Sequence, residues 1–228
     1  MPASSKTKEV EILPAILVKD RHRFLEQVDM VREYVKGVHV DVMDDIFVPN
    51  KTIGPEELKP LPEGVEYSLH WMVEEPEKWI ATMPGPHTHM VHVETLKSES
   101  HFGLVLDTIK DSGGRLGISI NPETPLDSVL GYSDDVSRFL VMSVVPGFEG
   151  QKYLSEVEPK IERLRETCPE HEIEVDGGIT FETAPRAARA GADILASAST
   201  IFRAEHPGEA IKRLKSLAEE AREYGTFP

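Results

Sequence analysis

The chain has a single cysteine, Cys168, among 228 residues. No intrachain disulfide can form, so a reducing compartment is expected. Positive charge is also scarce: Lys and Arg total 25 against 40 Asp and Glu, a formal net charge of −15. A phosphate backbone is bound mainly by cationic charge, so neither nucleic acid nor an anionic membrane is an expected partner. A small phosphorylated ligand is still allowed, because backbone N–H groups can hold an anion without net positive charge. No apolar run is long enough to span a bilayer. The polar segment 1–8 lacks the apolar stretch of a secretory signal and reads as a flexible N-terminal extension. Cytoplasm is the expected location. No linker or low-complexity tract divides the chain, and 1–228 reads as one domain.

What is present is an alternation of strand-like and helix-like runs. Apolar strand candidates are Val10–Leu17, Gly37–Asp44, Val65–Val73, Met90–Glu94, Arg115–Ile120, Phe139–Val144, Glu172–Asp176 and Asp193–Ser197. Helix candidates with apolar spacing near three and four include Arg21–Tyr34, Tyr153–Thr167, Phe181–Ala190 with Thr180 as N-cap, and Pro207–Tyr224. Strands apolar on both faces belong to parallel sheets. Eight βα units in a chain of this length predict an α/β fold, a (β/α)8 TIM barrel. The competing doubly wound open sheet lacks its usual Gly-x-Gly-x-x-Gly after the first strand.

In a barrel of this kind, reactive side chains stand at the C-terminal ends of strands and in the loops that follow. Strand side chains alternate, so His39 and Asp41 of His39-Val40-Asp41 share one face. His70 near the end of the third strand and Asp176 at the end of the seventh complete a set of two imidazoles and two carboxylates. Such a mixed N/O set suits one divalent metal ion: Zn, Fe, Mn or Co. Taken singly, each His also fits a hydrogen-bonded core residue, and Asp176 before Gly177-Gly178 also fits a turn. Met43, Met72 and Met142 end or nearly end three strands, as site lining or as core filling. Glycine lets backbone approach an anion closely. The phosphate-binding candidates after strands six to eight are Gly147, Phe148, Glu149 and Gly150, then Gly177-Gly178, then Ala198-Ser199. The loop 147–150 also reads as a lid.

The chain resembles the ribulose-phosphate 3-epimerase family. The likeness runs through His39-Val40-Asp41-Val42-Met43-Asp44, Phe47-Val48-Pro49-Asn50, His70-Trp71-Met72-Val73, His92-Val93-Glu94, Asn121-Pro122-Glu123-Thr124-Pro125, Pro146-Gly147-Phe148 and Glu174-Val175-Asp176-Gly177-Gly178. The resemblance implies a (β/α)8 isomerase of the pentose phosphate pathway that interconverts ribulose 5-phosphate and xylulose 5-phosphate. It implies His39, Asp41, His70 and Asp176 as metal ligands, and Asp41 and Asp176 as the acid–base pair around a metal-stabilised enediolate. It also implies a homo-oligomer, dimer or hexamer.

Some positions depart from the family pattern. Ala15 stands for a serine, Asp45 for a glycine, Ser68 for an aspartate, Val145 for a polar residue, and Glu149 and Ala198 for glycines. A carboxylate at 149 repels a phosphate unless it turns outward. The alternatives are therefore an epimerase of another ketose phosphate, such as a hexulose 6-phosphate, or a non-catalytic ligand-binding paralogue. Related barrel lyases, orotidine phosphate decarboxylase and hexulose-phosphate synthase, need an Asp-x-Lys-x-x-Asp arrangement, and no Lys here stands two residues after an Asp.

Overall fold

Eight short strands, each buried on both faces, close on themselves. The computed structural model describes residues 9–224; the expected extension at 1–8 lies outside the described residues. In chain order the elements are β1 (Glu11–Ile16), α1 (Arg21–Val31), β2 (Gly37–Met43), α2 (Pro55–Leu58), β3 (Glu66–Met72), α3 (Pro76–Ile80), β4 (Thr88–His92), α4 (Glu99–Ser112), β5 (Arg115–Ile120), α5 (Asp127–Leu130), β6 (Arg138–Met142), α6 (Glu158–Thr167), β7 (Glu172–Asp176), α7 (Ala184–Ala190), β8 (Ile194–Ser197), α8 (Ser199–Phe202) and α9 (Pro207–Tyr224). The strands pair in sequence order, and β1 also pairs with β8. All pairs are parallel. The protein is a (β/α)8 TIM barrel, as the alternation predicted.

Pleating sorts the side chains into two layers. In β2 all seven residues are buried. Val38, Val40 and Val42 join the large apolar layer between barrel and helices. His39, Asp41 and Met43 point the other way, into the barrel. The interior has its own small apolar cluster of Met90, Leu140, Met142 and Val144. Gly117 makes room for it, because a Cβ at that position would overlap the Met90 thioether. The register brings Asp41 level with His70, and Asp176 level with Met142 on one side and Ala196 on the other.

Local polar chemistry moves some boundaries. The fourth strand is Thr88–His92 rather than Met90–Glu94. Residues Val93–Thr95 turn instead into a 3-10 helix, with the Thr95 hydroxyl donating to the His92 carbonyl at 2.8 Å. The helix expected over Phe181–Ala190 begins at Ala184, with Thr183 rather than Thr180 as N-cap residue. Thr180 and Thr183 bond each other's backbone at 2.8 and 3.3 Å. Short hydroxyl side chains compete in this way with helical hydrogen bonding. Likewise α6 begins at Glu158, after a separate 3-10 turn at Ser155–Val157, and α1 stops at Val31.

Candidate active site

The inward faces of β2, β3 and β7 bring four side chains to one point. His39 Nε2 lies 3.2 Å from Asp41 Oδ1 and 3.2 Å from His70 Nδ1. His70 Nδ1 lies 2.9 Å from Asp41 Oδ1, and Asp176 Oδ2 lies 4.0 Å from His39 Nε2. One ligand atom from each of the four falls within 4.8 Å of all the others. Donor atoms bound to a divalent ion at roughly 2.1 Å stand about 3.0–3.4 Å apart; His39, Asp41 and His70, 2.9–3.2 Å from one another, have close to that spacing, and Asp176 at 4.0 Å from His39 would move inward to join them. The donor chemistry fits as well. The outer nitrogen of each imidazole is already engaged, His39 Nδ1 with Glu174 Oε1 at 2.6 Å and His70 Nε2 with His92 Nε2 at 2.9 Å. The inner nitrogens are left facing Asp41.

Both imidazoles are fully buried, whereas Asp41 and Asp176 keep 6% and 9% exposure. That small difference is decisive, because the two carboxylates line a cavity of about 160 Å³ and the imidazoles lie beneath it. Met43, Met72 and Met142 line the same cavity. So do Gly147, Phe148, Glu149, Gly150, Gly177, Gly178, Ala198 and Ser199, from the loops after β6, β7 and β8. Every site residue expected from the sequence therefore lies in the ion-sized cluster or in the cavity wall above it. The loop 147–150 is tied down at both ends. Asn50 Nδ2 donates to the Gly147 carbonyl at 2.7 Å, and Gln151 Nε2 donates to the carbonyls of Val145 and Phe148 at 2.6 and 2.9 Å.

The departures from the family pattern acquire physical form here. The Glu149 carboxylate pairs with Arg203 at 3.1 Å, so its charge is offset within the protein. Asp45 adopts φ of 64°, the left-handed region that glycine enters without cost and that Asp tolerates better than most residues. Ser68 is buried level with His39, and its hydroxyl has no hydrogen-bond partner.

Three interior residues were given no role from the sequence: Glu174, His92 and Arg138. Arg138 donates to Glu174 Oε2 at 2.9 Å and to Glu172 Oε2 at 2.9 and 3.0 Å. A period-two signal was available for two of them. Glu174 precedes Asp176 by two residues, and His92 follows Met90 by two, so both must face inward.

The two cavity acids are driven in opposite directions. Burial pushes Asp176 up to about 7, and the negative charge of Asp41 adds to the rise. Burial acts on Asp41 in the same sense, but hydrogen bonds from His39 and His70 outweigh it and hold Asp41 well below the ordinary carboxylate range. Two carboxyl groups pushed apart in this way suit complementary acid and base roles.

The Asp176 shift has a consequence for stability. Between its ordinary value of 3.8 and about 7, the unfolded chain gives up the Asp176 proton while the folded chain keeps it. The contribution of Asp176 to stability therefore declines as pH rises through that window. Asp41 runs the other way: it stabilises above its unfolded value, and that stabilisation is lost on acidification. In chelator-treated protein, Asp176→Asn should gain on the parent in urea denaturation midpoint as pH goes from 4 to 8. A gap that does not change with pH would contradict the raised Asp176.

The sequence pattern of the "Ribulose-phosphate 3 epimerase family" matches residues 11–202. A Ribulose-phosphate 3-epimerase from Eremothecium gossypii is 35% identical over 204 residues, covering 82% of this chain and 84% of the relative. The chain belongs to the ribulose-phosphate 3-epimerase family. A second epimerase of the family, from Schizosaccharomyces pombe, is 32% identical over 223 residues, covering 94% of this chain and 96% of the relative. The expected membership in a family of isomerases acting on carbohydrates is borne out. Among solved structures, 3-hexulose-6-phosphate synthase from Salmonella typhimurium aligns with TM-score 0.69 at 14% identity, covering 93% of this chain and 100% of that one. At that identity the likeness to the synthase shows the shared barrel alone. Among the described residues, no helix of this family member is long and apolar enough to cross a membrane.

Proposed function

We propose that the protein is a metal-dependent 3-epimerase of ribulose 5-phosphate and xylulose 5-phosphate. The observation that carries this reading is the placement of Asp41 and Asp176 on the floor of one cavity. They stand on strands separated by β1 and β8 around the closed barrel. Epimerisation beside a carbonyl removes a proton from one face of C3 and returns one to the other face. One fixed base cannot serve both faces; two carboxyl groups flanking the substrate can. Ionised Asp41 takes the C3 proton in one direction, and Asp176, which holds its proton near neutral pH, delivers one from the opposite side. In the reverse direction the roles exchange.

His39, Asp41, His70 and Asp176 would hold a divalent ion (Zn, Fe, Mn or Co), which would supply Lewis-acid stabilisation of negative charge on the substrate oxygens. Met43, Met72 and Met142 keep water from the reacting carbon with polarizable, apolar side chains. The loops at 147–150, 177–178 and 198–199 receive the phosphate through backbone N–H groups. The Arg203 pairing keeps the Glu149 carboxylate from standing against that anion with its charge unopposed. The single buried Cys168 supports residence in a reducing compartment such as the cytoplasm. Assembly as a dimer or hexamer is carried over from the family resemblance alone.

A second reading, a different ketose phosphate such as a hexulose 6-phosphate, is favoured by Ala15, Glu149 and Ala198 in the cavity wall. One experiment separates the readings. Metal-loaded protein is incubated in D2O with D-ribulose 5-phosphate and followed by proton NMR. The expected result is deuterium at C3 together with xylulose 5-phosphate. Inertness toward the pentulose with exchange on the hexulose 6-phosphate selects the second reading; inertness toward both selects a non-catalytic protein.

A further inference from the structure

Asp176 is the last residue of β7, so the sheet holds it on one side only. Beyond it the chain turns at Gly177, with φ of 116°, a conformation that glycine adopts without steric cost. Every carbonyl from Asp176 to Ile179 is then taken by a donor outside the segment. The Ser143 amide donates to the Asp176 carbonyl at 2.7 Å. The Ser143 hydroxyl lies 2.6 Å from the Gly177 carbonyl and 3.0 Å from that of Asp176. Thr183 Oγ1 donates to the Gly178 carbonyl at 2.7 Å. Ser197 Oγ and Thr200 Oγ1 both donate to the Ile179 carbonyl at 2.9 Å.

Ser143 stands apart from the other donors because it holds both peptide units that leave Asp176. A hydroxyl has a single proton, and the nearer carbonyl, that of Gly177, takes it. Ser143 is fully buried and lies outside the cavity wall, so it does not touch a ligand there. The two cavity acids are held in different ways. Asp41 Oδ1 is in hydrogen-bond contact with His39 and His70 at 3.2 and 2.9 Å. Asp176 Oδ2 stands 4.0 Å from His39 Nε2, beyond that reach. A single methylene separates the Asp176 carboxyl from its backbone, so the direction of the carboxyl follows the direction of the turn.

We propose that Ser143 is a positioning residue for Asp176: its amide and hydroxyl fix the turn after β7 and so aim the Asp176 carboxyl at its face of the substrate. The assignment rests on the reading of Asp176 as the proton carrier on that face. It gives a use to a polar side chain buried at the end of β6 that reaches neither the cavity nor the cluster beneath it.

Ser143→Ala tests it by removing one oxygen while keeping the amide bond to Asp176. The readout is exchange of the C3 proton in D2O, started separately from each epimer. The epimer that stops exchanging in Asp176→Asn should exchange about 10–100-fold more slowly in Ser143→Ala, since misplacing a reacting group by about 1 Å can cost about 10²-fold. The epimer served by Asp41 should keep the parental rate. A merely structural fault would slow both alike. Ser143→Cys, which keeps a weaker S–H donor at the same place, should show the same asymmetry at smaller size. Ser197→Ala is the control: Thr200 still holds the Ile179 carbonyl, so neither epimer should slow. A second readout needs no turnover. The Gly178 amide belongs to the peptide whose carbonyl accepts the hydroxyl. In chelator-treated Ser143→Ala its proton and nitrogen NMR signals should therefore move upfield, as an amide does when its carbonyl loses a hydrogen bond.

Equal slowing of the two epimers, or slowing of neither, overturns the proposal. So does a Gly178 amide whose signals stay at their parental positions. A parent that exchanges neither epimer overturns the epimerase reading and this assignment together. A parent that exchanges both, with a symmetric or silent Ser143→Ala, overturns the Ser143 assignment alone.

Discussion

In the Asp176→Asn protein, interconversion of the two epimers should fall by about 10³-fold or more, while exchange of the C3 proton with solvent survives for one epimer only. A positioned acid or base contributes about 10²–10⁴-fold, and epimerisation needs both. Asparagine keeps the shape of Asp176 and an oxygen that can still face His39 Nε2, now 4.0 Å from Oδ2. What it loses is the ability to take or give a proton on its face of the substrate. Asp41 is untouched, so it can still remove and return a proton on the other face, which produces exchange without inversion. Asp41→Asn should show the mirror behaviour with the opposite epimer. NMR in D2O, starting separately from each epimer, reads both quantities at once. If Asp176→Asn exchanges the C3 proton of both epimers, the two carboxylates do not divide the faces between them.

The second large effect is on folding. Glu174→Ala should cost about 3–5 kcal/mol, the usual range for removing one partner of a buried ion pair. Glu174 is fully buried and accepts from His39 Nδ1 and Arg138 Nη1 at once. Its removal leaves a buried imidazole N–H without an acceptor and strips Arg138 of its inner partner. It also opens space in the middle of the barrel. Glu172→Ala is the control, because its side chain is 44% exposed and bonds the same guanidinium from the solvent side. A pair of that kind is worth about 0–1 kcal/mol. Urea denaturation of the two variants should separate them by several-fold. Equal losses would mean that the Arg138–Glu174 contact contributes no more than a surface pair.

These effects trace to features of unequal legibility. Asp41 could be placed beside His39 from the sequence because a strand alternates its side chains with period two. Asp176 could be placed with them because parallel barrels expose their strand ends on one side. The same alternation put Glu174 and His92 on the inward face, yet it did not say what they touch. Glu174 and His39 are 135 positions apart along the chain, and no local rule relates them. The N-cap at Thr183 instead of Thr180 was missed for a different reason. Both threonines are good caps by composition, and their mutual hydrogen bonds decide between them only once the turn has formed.

By itself, then, the sequence determined the order of strands and helices, the inward set His39, Asp41, His70 and Asp176, and the family. All of these depend on periodicity and on residue type at given positions. The tertiary structure alone decided which nitrogen of each imidazole faces inward, that Arg203 offsets Glu149, and that His92 and Glu94 stand behind His70. Such choices depend on distances of about 3 Å between side chains on different strands and loops. Those distances exist only after the barrel has closed.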